Sequence, residues 1–288
     1  MWVLWAFGSA LCAGASSVLA KCGIRKTDST LATALRTVVV LVMAWAVVLL
    51  AGAQKGIAAI PPAGWIFLVL SGLATGASWL CYFRALQLGD VNRVVPVDKL
   101  STVLTILLAF AFLGEEPGAA RLVCTAAIGA GSWLMAWQPG EGAPRPAAGH
   151  SWLFYALLSA FFAALTSILG KPGMAGIDSN LGTAIRTAVV LVMAWAVALA
   201  TGRTAGLSAV SRKEGWFIAL SGLATGGSWL CYFRALQLGP ASAVAPIDKL
   251  SILVTVAFSR LALGERLSRR AAVGLALLVA GTLGMLAA

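Results

Sequence analysis

Ten apolar segments of about 20 residues make up most of this chain, and short breaks of glycine, proline and charged residues separate them. A helix needs roughly 17–25 such residues to cross the hydrocarbon core of a bilayer. A spanning segment must also satisfy its own backbone hydrogen bonds, so we expect helices. The predicted spans are about 2–20, 31–51, 64–88, 92–113, 119–137, 151–170, 181–200, 215–238, 242–263 and 269–287.

The composition agrees with a chain whose main solvent is lipid. Hydrophobic residues make up 60% of the sequence and charged residues 11%, whereas a soluble domain carries about 25% charged residues. The net charge of +11 comes from lysines and arginines dispersed between the apolar segments, so no nucleic-acid partner is predicted. The five cysteines are odd in number and lie mostly within apolar segments, which predicts no disulfide framework. The first segment has no charged stretch before it, and we interpret it as a retained helix rather than a secretory signal.

The two halves of the chain repeat each other at an offset of 150 residues. Residues 71–89 recur at 221–239 with one substitution, and the ungapped alignment contains about 64 identities over 138 positions. We therefore predict one five-helix repeat over 1–138, a linker over 139–150 and a second repeat over 151–288. Because five is odd, the second repeat must enter the membrane inverted, as in many transporters with alternating access.

The unshared basic residues predict the orientation in the membrane. We name the face that carries both termini side A and the opposite face side B. After the residues common to both repeats are set aside, two basic residues remain on side A and eleven on side B. Lysine and arginine favour cytoplasmic loops, so side B is predicted to be cytoplasmic and both termini to be outside.

Five charged residues per repeat are common to both copies and lie within or at the ends of the spans. We expect the first set toward side B and the second toward side A, at opposite ends of one pathway. The pairs are Lys21 and Lys171, Arg36 and Arg186, Arg84 and Arg234, Asp98 and Asp248, and Lys99 and Lys249.

These charges support two interpretations. In the functional one they form gates, or bind a substrate that carries a carboxylate or another anionic group. In the structural one Asp98 pairs with Lys99 or Arg84, while Lys21 and Arg36 extend to lipid headgroups. Arg84, Arg234, Lys99 and Lys249 are the favoured functional candidates, because they are deeper or lie beside a proline. That proline, Pro96 or Pro246, either opens the helix interior or sits in the first helical turn.

The third and eighth segments hold the densest shared pattern. Gly72, Gly76 and their partners in the second repeat predict close helix packing. Trp79 and Trp229 lie too far inside the spans to be interfacial anchors, so we predict that they line a cavity. Tyr82 and Tyr232 are weaker candidates for the same wall, because a tyrosine near a helix end is often an anchor.

The chain resembles the drug/metabolite transporter superfamily, specifically its EamA family. The resemblance rests on the duplication of five helices, the CYFRAL run at 81–86 and 231–236, and the LGEE and LGER ends at 113–116 and 263–266. It implies a ten-helix transporter with a central cavity between its halves. It also implies cytoplasmic termini, opposite to the charge count. The buried glutamate of small multidrug members has no counterpart, since helices 1 and 6 contain no acidic residue.

Three functions follow as hypotheses. The first is a multi-pass protein of a bacterial inner membrane that exports amino acids or other zwitterionic or anionic solutes, as a monomer or homodimer and without a cofactor. The second is a flippase for a lipid-linked or phosphate-bearing substrate. A membrane enzyme is disfavoured, because the only histidine, His150, lies in the linker and Asp98 and Asp248 are expected near opposite faces.

Overall fold

A computed structural model describes residues 2–24, 27–112, 118–136, 151–238, 244, 247–264 and 267–287. Its described part contains ten α-helices of 13 or more residues. The first repeat holds α1 (Trp2–Gly23), α2 (Ser29–Leu50), α3 (Pro62–Leu88), α4 (Val91–Phe112) and α5 (Ala119–Ala136). The second holds α6 (Ser151–Gly173), α7 (Ser179–Ala200), α8 (Arg212–Leu238), α9 (Ser251–Leu263) and α10 (Arg269–Ala287).

The all-helical fold predicted from the sequence is confirmed, and nine of the ten helices fall on the predicted spans within three residues. The exception is α9, which begins at Ser251 although the predicted span begins at 242. Five of them, α1, α2, α3, α6 and α7, are long and apolar enough to cross a membrane by length and composition alone. The predicted linker, His150, Glu115, Glu265 and Pro246 lie outside the described residues.

Equivalent residues begin the second helix of each repeat. Asp28 accepts hydrogen bonds from the backbone N–H groups of Thr30 and Leu31, and Asp178 accepts them from those of Asn180 and Leu181. Such N-caps satisfy backbone donors that have no partner within the helix. Asp28 also lies 3.6 Å from Arg203, so these two carboxylates have a structural explanation.

The two repeats are interlocked rather than side by side. Helix α1 packs along α8, and its counterpart α6 packs along α3; α1 also packs on α9, and α6 on α4. Helices α2 and α7 meet each other, as do α5 and α10. Each contact therefore has an equivalent after the repeats are exchanged, as a pseudo-two-fold axis in the membrane plane requires.

Small residues allow this close packing. A Cβ atom at Gly72 would lie 2.9 Å from the carbonyl oxygen of Arg186, and one at Gly222 would lie 3.0 Å from that of Arg36. These approaches bring α3 against α7 and α8 against α2 at the two buried arginines. The close helix packing predicted for the shared glycines of α3 and α8 is thus confirmed, because Gly72 and Gly222 lie directly against the backbone of the neighbouring helix.

Candidate functional site

A cavity of about 640 Å³ lies at the centre, and both repeats contribute to its wall. Helices α1–α5 supply one set of lining residues, and α6–α8, α10 and residues 248–249 supply the other. The lining combines indole and phenol rings with hydroxyl groups and charged side chains. Large amphipathic cavities of this kind are the usual binding sites for small molecules.

The cavity is open toward side A and closed toward side B. Its wall includes Ile168, Gly170 and Met174 from the end of α6, together with Ser179 at the start of α7. Counting helices from the N-terminus places all four near side A. Their equivalents near side B do not line the cavity: Val18, Ala20, Ile24 and Ser29. Val18 and Ile24 are buried, whereas their counterparts Ile168 and Met174 are half-buried.

Hydrogen bonds fasten α1 to α3 on the closed side. The hydroxyl of Tyr82 donates to Ser17 over 3.0 Å. Lys21 donates to the carbonyl oxygens of Leu86 and, over 2.6 Å, of Gly89, at the C-terminal end of α3. Ser17 and its equivalent on the open side, Ser167, each donate to a carbonyl of their own helix, those of Ala13 and Ala163. The bond from Tyr82 therefore distinguishes the closed side, since no hydrogen bond joins Tyr232 to Ser167 in the described part of the chain. Two equivalent ends of one fold thus have different contacts.

A buried glutamate adds a contact that belongs to the closed side alone. Ser211 precedes α8 and accepts a hydrogen bond of 3.2 Å from the backbone N–H of Glu214, and its hydroxyl lies 3.3 Å from the Glu214 carboxylate. The Glu214 carboxylate also accepts a hydrogen bond of 3.1 Å from Thr27, in the connection between α1 and α2. At the position equivalent to Glu214 the first repeat has Gly64, so side A has no carboxylate there.

Two buried arginines and two tryptophans form one wall of the cavity. The guanidinium of Arg36 lies 4.9 Å from the Trp79 ring centre, and that of Arg186 lies 4.9 Å from the Trp229 ring centre. The two indole rings meet edge to face at 6.2 Å. We call this set the Arg–Trp row. Cation–π contacts partly offset the cost of placing the two charges in a buried setting.

Each arginine of the row also reaches across to the other repeat. Arg186 donates to the hydroxyl of Thr75 over 2.9 Å, and Arg36 donates to the equivalent Thr225. The row therefore joins the two halves at the centre of the molecule.

Serines from the opposite repeat hold the two central carboxylates. Ser159 donates to Asp98 over 2.9 Å and lies 3.2 Å from the hydroxyl of Ser78. On the other side Ser9 donates to Asp248 over 2.6 Å and lies 3.1 Å from that of Ser228. Both carboxylates line the same cavity.

The two lysines beside these carboxylates also face the cavity. Lys99 donates to Ser251 over 2.8 Å and interacts electrostatically with Asp98, Asp248 and Lys249.

A proline precedes Asp98 and Lys99 inside α4. Pro96 has no N–H group, so the carbonyl of Asn92, four residues before the proline, lacks its helical hydrogen-bond donor. This agrees with the interpretation of Pro96 as an interior residue of the helix.

The structure corrects the expectation that the two charged sets lie at opposite ends of a pathway. Asp98, Asp248, Lys99 and Lys249 line one cavity, as do the two buried arginines, whereas the other two pairs stay near the ends of their helices: Lys21 and Lys171, and Arg84 and Arg234. The reason is that Asp98 lies deeper in the membrane-spanning part of its helix than the sequence suggested. Because α4 begins at Val91, Asp98 lies seven residues along it, or about 10 Å from its start.

The structure also corrects the preference for Arg84 and Arg234. Both side chains are exposed and neither lines the cavity; Arg84 donates to Gln87 over 2.6 Å. The reason is helical phase, since two residues turn a helix by about 200° and Arg84 therefore faces away from Tyr82. The other ten candidates line the cavity: Arg36, Trp79, Tyr82, Asp98, Lys99, Arg186, Trp229, Tyr232, Asp248 and Lys249.

Several lining or supporting residues were not singled out by the sequence argument. Ser9 and Ser159 hold the carboxylates, and Thr75 and Thr225 hold the arginines. The available signal was their identity in both copies, because a polar residue that recurs within apolar helices marks a shared contact.

Two inverted five-helix repeats around a polar central cavity define a membrane transporter of the drug/metabolite type. Residues 1–137 and 150–287 each match the EamA-like transporter family. The chain belongs to the EamA-like transporter family.

One relative and one solved structure illustrate this membership. An "Uncharacterized transporter in cobO 3'region" from a Sinorhizobium sp. is 51% identical over 134 residues, which cover 46% of this chain and 95% of the relative. A solved structure described only as "Crystal structure of protein" aligns over 98% of this chain and 95% of its own, with a TM-score of 0.71. At 17% identity this likeness is one of fold.

Proposed function

We propose that the protein is a secondary transporter that exports small anionic or zwitterionic metabolites, by alternating access between its two halves. The observation that carries this proposal is the charge of the cavity wall. Six cationic side chains face two carboxylates there; the cations are Arg36, Lys99, Arg121, Lys171, Arg186 and Lys249. A cavity with such an excess of positive charge attracts solutes with a negative group.

Alternating access is supported by the difference between the two ends. Side A is open, whereas Tyr82, Lys21 and Glu214 hold side B closed. The pseudo-two-fold axis relates the two ends, so the same chain can adopt the reverse arrangement with α6 packed against α8. In that state side B opens and side A closes, and the bound solute changes sides.

In this proposed function the solute crosses the membrane chemically unchanged. The groups of the cavity bind and orient a solute: guanidinium and ammonium groups toward its negative end, and indole rings along its apolar part. The carboxylates of Asp98 and Asp248 are available for the ammonium group of a zwitterion.

A thermal-shift screen of the purified protein in detergent tests this function. A ligand that binds only the folded state raises the melting temperature. We expect stabilisation by amino acids or organic anions, and its loss in Lys99→Ala and Lys249→Ala. Stabilisation by quaternary ammonium cations alone contradicts the proposal. If phospholipid displaces the solute in competition, the flippase alternative replaces the exporter.

A further inference from the structure

Six charged side chains meet at the centre of the molecule, and their charges do not balance. Arg36, Arg186, Lys99 and Lys249 carry four positive charges, and Asp98 and Asp248 carry two negative ones. The pseudo-two-fold axis divides them into equal sets of an arginine, a lysine and an aspartate. Each half of the site therefore holds one positive charge in excess.

The partners of these six groups are neutral. Three of the four cations donate to hydroxyl groups: Arg36 to Thr225, Arg186 to Thr75 and Lys99 to Ser251. Both carboxylates accept from serines, as described above. Among the described residues, none of the six forms an ion pair within 4.0 Å.

The arginines show most clearly that the site is incomplete. Arg36 and Arg186 are only 6% and 3% exposed, and the Nε atom of each is buried without a hydrogen-bond partner in the described part of the chain. Buried charge is costly unless it is paired, and an arginine has five donors to satisfy. The Nε atoms themselves are out of reach of a solute, but both side chains contribute to the cavity wall, so an anion there lies close enough to offset the guanidinium charges.

We propose that the substrate is a divalent organic anion, with one negative group directed toward each half of the site. This inference rests on the function proposed above and narrows its substrate class. Two negative charges cancel the excess at the centre, whereas a monovalent anion cancels half of it and a zwitterion none. At the open end, Arg121 and Lys171 add positive charge that draws a divalent anion inward.

The two indole rings between the arginines limit the shape of this anion. Successive contacts of 4.9, 6.2 and 4.9 Å connect the guanidinium carbons through the ring centres of Trp79 and Trp229. An apolar spacer between two anionic groups lies over this aromatic surface, while its ends meet the cations. Dicarboxylates and phosphate esters of carboxylic acids both have this arrangement.

Titration calorimetry with a matched series tests the inference. The probes are divalent succinate, its half-amide succinamate, the zwitterion 4-aminobutyrate, and 3-phosphoglycerate as the phosphate-bearing compound, which carries about 2.5 to 3 negative charges at pH 7. We expect the wild-type protein to bind succinate or 3-phosphoglycerate at least 10-fold more tightly than succinamate or 4-aminobutyrate. A stronger response to 3-phosphoglycerate than to succinate assigns one end of the site to phosphate, and the reverse assigns both ends to carboxylates.

Charge variants make the test specific. Lys249→Gln lowers the central excess to one, so the preference for the divalent probe should fall at least 10-fold. Asp248→Asn raises the excess and should preserve that preference. Lys213→Gln removes an exposed lysine outside the cavity and serves as the control. Lys249→Arg keeps the charge and should keep the preference, and a melting curve verifies that each variant is folded.

The outcomes separate this inference from the proposed function. A preference that Lys249→Gln leaves unchanged overturns the divalent-anion inference. So does tighter binding of succinamate or 4-aminobutyrate by the wild type, although the transporter proposal then stands. Failure of the folded protein to bind any of the four probes, or any compound of the thermal-shift screen, overturns both.

Discussion

At the scale of single residues, the arginines shared by the two repeats occupy two different environments. Arg36 and Arg186 are held between aromatic rings and hydroxyl groups contributed by both repeats. Arg84 and Arg234 belong to the same repeats and face away from the cavity. Arg84 and Arg234 can therefore serve as controls for the two arginines of the proposed site.

We predict that Arg186→Ala weakens binding of an organic anion by about 10-fold or more, since a hydrogen bond to a charged group contributes roughly 1.5–3 kcal/mol. Arg186→Lys keeps the charge but loses the planar fork, so its affinity should be intermediate. Titration calorimetry with succinate measures both, and Arg234→Ala is the matched control. Equal losses in Arg186→Ala and Arg234→Ala contradict the assignment.

The sequence could identify most of these residues as a shared set but not their depth. Both copies contain all five charged pairs, so the alignment alone does not separate Arg36 from Arg84. Their separation depends on where α2 and α3 begin and which face each turns inward, and a shift of two residues reverses that face. Trp79 and Trp229 were predictable because they lie far from either helix end.

At the scale of helices, the equivalent ends of α1 and α6 differ in their surroundings, as the proposed alternating access requires. Val18 is 1% exposed in the closed end, whereas its equivalent Ile168 lines the open cavity. We predict that a hydrophilic maleimide labels Ile168→Cys rapidly and Val18→Cys slowly, in a background without the five native cysteines. Equal labelling rates contradict the asymmetry.

The buried glutamate of α8 should favour the closed end. Glu214→Gln weakens the hydrogen bond from Thr27, because a neutral amide is a weaker acceptor than a carboxylate. We expect it to increase the labelling rate of Val18→Cys several-fold and to decrease that of Ile168→Cys. Lys213→Gln changes the neighbouring, exposed residue of α8 and is the control. If both labelling rates stay unchanged in Glu214→Gln, the glutamate does not hold that end closed.

Close packing of α8 on α2 gives a prediction of stability. A Cβ atom at Gly222 would lie 2.9 Å from the Cβ of Val39, whereas one at Gly215 has nothing within 4 Å. Gly222→Ala should therefore lower stability by about 1–3 kcal/mol, the usual cost of overpacking. Gly215→Ala in the same helix should leave the melting temperature unchanged or raise it. Equal melting temperatures for the two variants contradict the packing described here.

At the scale of the whole molecule, the duplication made the fold predictable. Ten apolar segments and an offset of 150 residues were sufficient for the helices and their inversion. The sequence repeat did not predict that charged residues of both repeats would line one cavity. This convergence depends on tertiary contacts such as α1 with α8 and α3 with α6, which pair helices far apart in the chain.

Orientation remains a prediction at this scale. Eleven unshared basic residues on side B against two on side A predict external termini. A fusion of alkaline phosphatase to the C-terminus should then be active and a fusion of green fluorescent protein dark in a bacterial host. The reverse result places side A in the cytoplasm, and the open cavity would then face inward.

We propose that one cavity between the two repeats carries a small organic anion across the membrane. Counterflow of radiolabelled succinate into proteoliposomes preloaded with unlabelled succinate tests it most directly. We predict saturable uptake that is lost in Arg186→Ala and kept in Arg234→Ala. Uptake no greater than that of protein-free liposomes, for succinate and for the other solutes of the screen, contradicts the claim.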